Sequence, residues 1–196
     1  MANSHTIHVN ATLCLQALGL LSNDCCHARI GPLLVTNPSF EASDIPGSVT
    51  GWTVTGAATS TPVSMLLPDA AGLVAPVSGF RGLLLGPVGV IRQVLGSRLG
   101  RAPFLQLRVA IGWPVGSLTL PTVVFELRSD SSNILIATVS VAESDFSLGP
   151  GAVDEVVLTA NVSAIDAVHG EPLVVVVAGF GEDTVMIDNI RIDAFR

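Results

Sequence analysis

The stretch Leu105-Gln106-Leu107-Arg108-Val109-Ala110-Ile111-Gly112 places an aliphatic residue at every odd position and a polar or small one at every even position. A period of two is the repeat of an extended strand with one buried face, whereas a helix would return its apolar residues every three or four positions. Working outward, Val123, Phe125 and Leu127 alternate less cleanly with Thr122, Val124, Glu126 and Arg128. Ser129-Asp130-Ser131-Ser132-Asn133 then supplies turn residues, and Ile134 to Val141 returns as a hairpin partner. Further apolar runs at 33–35, 153–160, 173–178 and 185–192 are strand-sized and separated by Gly, Pro, Ser and Asp. Roughly eight to ten short strands with no long amphipathic helix after Gly31 describe a sandwich or barrel. The predicted class is all-β, a two-sheet antiparallel jelly-roll sandwich over 31–196 behind an N-terminal arm over 1–30.

Composition narrows the function classes. The 196 residues are 49% hydrophobic and 13% charged, with 19 glycines and 12 prolines, and the mean hydropathy is +0.63. No run reaches the roughly 18 consecutive apolar residues of a membrane-spanning helix, so no membrane partner is expected. So apolar a chain is expected to cover part of its surface with neighbours, which predicts a homo-oligomer or a larger assembly. The formal charge is −7, and all nine cations are arginines scattered from Arg29 to Arg196. Without a basic stripe, nucleic acid is not an expected partner.

The first thirty residues differ from the rest. They hold all three cysteines, Cys14, Cys25 and Cys26, and three of the four histidines, His5, His8 and His27. Leu13, Ala17, Leu20 and Leu21 recur at helical spacing, interrupted by Gly19, which reads as an arm or short helix. The cysteines do not form the framework of a disulfide-stapled body, and no spacing gives the paired pattern of a zinc site. Met1–Asn10 contains no Lys or Arg, so a secretory signal is not expected.

Three fragments, in order, carry a resemblance. They are Leu34-Val35-Thr36-Asn37-Pro38-Ser39-Phe40-Glu41 with Gly51-Trp52-Thr53, then Gly82-Leu83-Leu84-Leu85 with Val90-Ile91-Arg92-Gln93-Val94-Leu95, and last Met186-Ile187-Asp188-Asn189-Ile190-Arg191-Ile192. Over residues 31–196 the chain resembles the galactose-binding-domain-like jelly rolls, especially carbohydrate-binding modules. The resemblance implies a two-sheet sandwich and often a structural Ca²⁺ that ties the opening strand to the closing one. The matching ligands here would be Glu41 and Asp188.

The residues can be weighed apart from the resemblance. If β alternation holds from 186 to 192, Asp188 shares a face with Met186, Ile190 and Ile192, and a carboxylate in an apolar row needs a cation or several donors. Hard oxygen ligands suit Ca²⁺; backbone amides near a strand end are the alternative. Trp113, between Gly112 and Pro114, is the candidate for stacking on a sugar, against core packing or a subunit contact. Trp52 belongs to the resembling Gly-Trp-Thr element, where the resemblance implies a core residue. Catalysis finds little support: there is no nucleophile elbow, phosphate-binding loop or His-Glu-x-x-His, and His169 stands alone in the body. Asp154 and Glu155 are adjacent on a predicted strand, so they face opposite sides.

The sequence is therefore read as a non-enzymatic structural or assembly protein requiring no cofactor. The form considered first is a virion component, such as a capsid decoration, cement or tail-fibre protein, acting through subunit contacts in a virion or other extracellular assembly. The alternative is a carbohydrate-binding module or adhesin recognising a glycan.

Overall fold

The computed structural model describes residues 5–10, 29–42, 49–62, 81–98, 104–114, 118–146, 150–162 and 170–195. Twelve strands occur among them: β1 (His5–Asn10), β2 (Arg29–Leu33), β3 (Thr53–Thr55), β4 (Ala58–Pro62), β5 (Arg81–Leu85), β6 (Val90–Arg98), β7 (Phe104–Gly112), β8 (Thr122–Ser129), β9 (Leu135–Val141), β10 (Val153–Asn161), β11 (Pro172–Phe180) and β12 (Val185–Phe195). Seven of these form one sheet, ordered β1-β10-β7-β12-β5-β4, with β2 also pairing with β12; the other five run β3-β6-β11-β8-β9. The all-β sandwich read from the sequence is the architecture of the chain.

The alternating strand that opened the reading is β7, flanked by β10 and β12. Its Leu105, Leu107, Val109 and Ile111 point inward, where they meet Val123, Phe125 and Leu127 of β8 and Leu173, Val175 and Val177 of β11 in one core. Phe125 is fully buried, and truncating such a ring to alanine costs about 3–5 kcal/mol through lost contacts and the cavity left behind. The apolar run of β11 is continuous because both faces of this strand are largely buried. Asp154 faces inward and Glu155 outward, as adjacent strand residues must.

Residues 5–10 extend the sandwich: β1 pairs in parallel with β10, His5 beside Asp154 and Asn10 beside Thr159. The wider sheet is thus antiparallel except at this edge. The helical spacing at 12–21, the three cysteines and His169 lie outside the described residues.

The opening fragment has a physical explanation. Asn37 adopts a left-handed backbone (φ +49°), which Asn tolerates better than most residues, and its side chain bridges the loop by accepting from the Ala42 amide and donating to the Thr50 carbonyl. The buried Gln93 amide is fully engaged: it donates to the carbonyls of Thr36 (2.9 Å) and Gly51 (2.8 Å) and accepts from the Thr36 amide (2.8 Å). The Trp52 indole donates to the Asn37 carbonyl, and its ring lies 5.8 Å from that of Phe40. The Asn-Pro-x-Phe-Glu and Gly-Trp fragments are two sides of one lock on the end of the sandwich.

Candidate functional site

The calcium candidates sit on either side of a real junction. The opening segment reaches the closing strand through the Ile190 amide, which donates to the Pro38 carbonyl at 2.9 Å. Glu41 is exposed, and its Oε1 accepts from the Arg81 amide at 2.7 Å. Asp188 is wholly buried and its Oδ1 accepts from the Asn189 amide at 2.7 Å. Among the described residues no group of three or more His, Cys, Asp or Glu side chains converges on a metal position. Two carboxylates supplemented by backbone carbonyls are a donor set of hard oxygens, the chemistry Ca²⁺ takes.

The expected environment of Asp188 needs correction. It does not share a face with Ile190 and Ile192. A β-bulge interrupts the β12–β7 register between Asp188 and Arg191, and Asn189 takes φ +52° there. One extra residue reverses the phase of the strand. Met186 and Asp188 lie on the outer side, opposite Gly112 and Ala110, while Ile190 and Ile192 enter the core.

Trp113 packs in the core, the alternative weighed against sugar stacking. It is 6% exposed and packs edge-on against Phe146, with centroids 6.2 Å apart. Its amide and carbonyl are held by Ala152 and Gly151. No ring face is presented to a ligand there.

A different aromatic is presented. Along β11 the outward residues are Val174, Val176, Ala178 and Phe180, because Leu173, Val175 and Val177 belong to the core. Phe180 is 50% exposed and neighbours Thr122 of β8. On one side of this apolar line β6 places Arg92 and Val94, and on the other β8 places Glu126 and Arg128. The outer strands add Thr53 opposite Arg92 and Thr138 opposite Glu126. The charged walls are braced: Arg92 pairs with Asp130 at 2.6 Å, and Arg128 Nε donates to Glu126 at 2.6 Å. That bond raises the Arg128 pKa. This aliphatic trough between charged rows is largely covered: Val174 is 1% and Ala178 8% exposed, and Phe180 at its end is half exposed.

The seven-stranded sheet carries a cleft of about 540 Å³. Pro32 and Leu34 line one side, while Gln106 and Arg108 of β7 and Arg191 and Phe195 of β12 line the other. Arg108 and Arg191 are register partners. Glu155 accepts from Arg191 Nη2 at 2.7 Å and from Arg108 Nη1 at 3.3 Å, and Arg108 Nε donates to Gln106 at 2.9 Å.

Neither the exposure of Phe180 nor the meeting of Arg191 with Glu155 was marked by sequence pattern. In a run as apolar as 173–178, nothing local tells which parity faces the core. The bulge that turns Arg191 outward leaves no signature beyond an asparagine in the strand.

No protein-family model matches the chain, and no curated protein matches it in sequence. Solved structures do. A Stig cyclase from Fischerella sp. TAU, in complex with (3Z)-3-(1-methyl-2-pyrrolidinylidene)-3H-indole, superposes with a TM-score of 0.70 at 15% identity, covering 85% of this chain and 98% of the cyclase. The carbohydrate-binding module TmCBM61, in complex with beta-1,4-galactotriose, gives 0.53 at 14% identity over 82% of this chain and 97% of the module. What these structures share with this chain is the two-sheet jelly-roll fold. The enzymatically active domain of tailspike protein 4 from bacteriophage CBA120 gives 0.53 at 12% identity, covering 83% of this chain but 21% of that one. At such identities the likeness is one of fold, shared by cyclases and binding modules alike. Among the described residues no helix is long and apolar enough to cross a membrane.

Proposed function

We propose that this chain is a non-catalytic glycan-binding module whose ligand lies along β11 on the five-stranded face. The observation that carries the reading is Phe180, half exposed in line with Val174, Val176 and Ala178. An aromatic face accepts the apolar face of a pyranose, and fixed polar side chains beside it select hydroxyl orientation. Arg92, Glu126 and Arg128 are braced in that way. Phe180 thereby takes the stacking role that the sequence suggested for Trp113. A structural Ca²⁺ held by Glu41, Asp188 and nearby carbonyls belongs to the same proposal, joining the opening loop to β12 and leaving the trough free.

Affinity electrophoresis through gels containing galactan, xylan, arabinan or mixed-linkage glucan tests the reading. Retardation by at least one polysaccharide is expected, reduced at least tenfold in Phe180→Ala at unchanged melting temperature. No retardation by any of them, or equal retardation of the variant, sinks it.

Self-association is a second reading, favoured by Leu118, which is 91% exposed in the loop preceding β8. In this form the module serves an assembly such as a virion. Light scattering decides it: a defined oligomer that dissociates on Leu118→Asp supports the reading, and a monomer at all concentrations removes it. Because His5–Asn10 is a strand of the wider sheet, a point substitution is a cleaner probe than deleting residues 1–30.

A further inference from the structure

The cleft on the seven-stranded sheet has the marks of a built site, and nothing in the trough reading uses it. Like charges directly opposite one another on adjacent strands are destabilising, yet Arg108 and Arg191 occupy such a pair. Arg191 faces outward only because of the bulge that follows Asp188, centred on the left-handed Asn189. Without it, the alternation that puts Met186 and Asp188 outside would put Ile190 outside and Arg191 in the core. Bulges re-aim side chains in this way and recur beside functional sites. The guanidiniums are then held in place, Arg108 by Gln106 and Glu155 and Arg191 by Glu155. Their side chains remain 39% and 52% exposed, so donors of both are open to the cleft.

The charge inventory selects the ligand class. Among the described residues, Arg108 and Arg191 contribute two positive charges, and Glu155 and Asp193 two negative ones. An anion would compete with Glu155 for both guanidiniums and would meet Asp193 beside Gln106. A cation would have to draw Glu155 away from the arginines. An uncharged ligand rich in hydroxyl groups meets alternating planar donors and acceptors, with no net charge to desolvate. Pro32, Leu34 and Phe195 add the apolar wall that one face of a sugar ring requires.

We propose that this cleft is a second binding site for a neutral mono- or disaccharide, on the opposite side of the sandwich from the Phe180 trough. A module with two sites facing away from one another bridges two glycan chains instead of lying along one.

The test uses Phe180→Ala, so that the trough is blinded, and saturation-transfer NMR with galactose, glucose, xylose, mannose and their β-1,4-linked disaccharides. Saturation transfer to at least one of these is expected, falling at least fivefold in Phe180→Ala/Arg191→Met and in Phe180→Ala/Arg191→Lys, which keeps the charge but not the planar fork. Melting temperatures of the double variants report whether the fold is intact. No transfer in Phe180→Ala, equal transfer with Arg191 replaced, or stronger transfer to glucuronate than to any neutral sugar would overturn the proposal. The trough is judged separately, by comparing wild type with Phe180→Ala: a binding loss confined to that step removes the cleft and keeps the trough, and the reverse pattern keeps the cleft alone.

Discussion

Arg108 on β7 and Arg191 on β12 stand directly opposite one another, and one carboxylate, Glu155 of β10, accepts a hydrogen bond from each. The arrangement converts a repulsive cross-strand pair into a three-residue network spanning three strands. Each contact is partly solvated, so each is worth less than about 1 kcal/mol. The coupling is what distinguishes the network.

Glu155→Gln should therefore destabilise the chain by about 1 kcal/mol, because it removes two ion pairs and leaves two cations facing one another. Adding Arg191→Met to Glu155→Gln should recover part of that loss. A double-mutant cycle in urea reads the coupling directly, and strict additivity of the two substitutions would contradict the network.

Val88 offers the opposite case, a residue that works against the fold. The Gly89 amide donates to the Gly86 carbonyl at 3.0 Å, with Pro87 and Val88 as the central residues of the turn. Val88 has φ +57°, the position where such turns favour glycine. A left-handed L-residue costs about 1–2 kcal/mol, and a β-branched one is especially disfavoured. Val88→Gly is expected to raise stability by up to about 1 kcal/mol after the added chain entropy of glycine, seen as a rise in melting temperature. The neighbouring Gly56 admits no such freedom. At φ +74°, a Cβ there would lie 2.3 Å from the Val88 carbonyl oxygen, so Gly56→Ala should be destabilising.

Two partly exposed carboxylates contribute to the acid limb. Glu171 accepts from the Ser132 amide and hydroxyl, and Asp183 from the Thr119 amide and hydroxyl. Hydrogen bonds from the Ser132 backbone, first, lower the Glu171 pKa, and those from the Thr119 backbone lower that of Asp183. A depressed folded-state pKa means the unfolded chain takes up the proton first as pH falls. The stabilisation is complete above the ordinary carboxylate range, near pH 4, and disappears as pH drops through the lower folded values. Glu171→Gln and Asp183→Asn should flatten the fall in melting temperature on acidification below that range, with little pH dependence added above it. An unchanged acid limb in the double variant would show that these bonds do not survive in solution.

The calcium proposal makes its own prediction. A ligand that binds only the folded chain raises stability by mass action, about 2.7 kcal/mol at a hundredfold excess over Kd. Excess CaCl₂ should raise the melting temperature relative to EDTA in wild type, and the difference should vanish in Asp188→Asn. Identical melting in calcium and in EDTA would rule the ion out.

The fold was legible because period-two alternation is a local property. Leu105 to Ile111 and Val123 to Leu127 announce buried strand faces without reference to anything distant, and Ser129 to Asn133 announces the turn after β8. The buried role of Trp52 was implied by the resemblance of its Gly-Trp element, and its bond to the Asn37 carbonyl is a matter of tertiary structure. What lay beyond reach depended on phase and on partners far along the chain. Trp113 looks exposed between Gly112 and Pro114, but Phe146, from another loop, covers it. Asp188 looks inward by simple alternation, but the bulge at Asn189 turns it outward and sends Arg191 to meet Arg108. Phe180 has the sequence of a strand end and a half-exposed outer position, because the facing seven-stranded sheet buries the opposite parity of β11. Sequence alone determined the strand-forming pattern, since the alternation of apolar residues acts through neighbours on the same strand. Tertiary structure alone decided which side chains meet, since a one-residue change of register reverses every face and only the packing of distant strands selects the register.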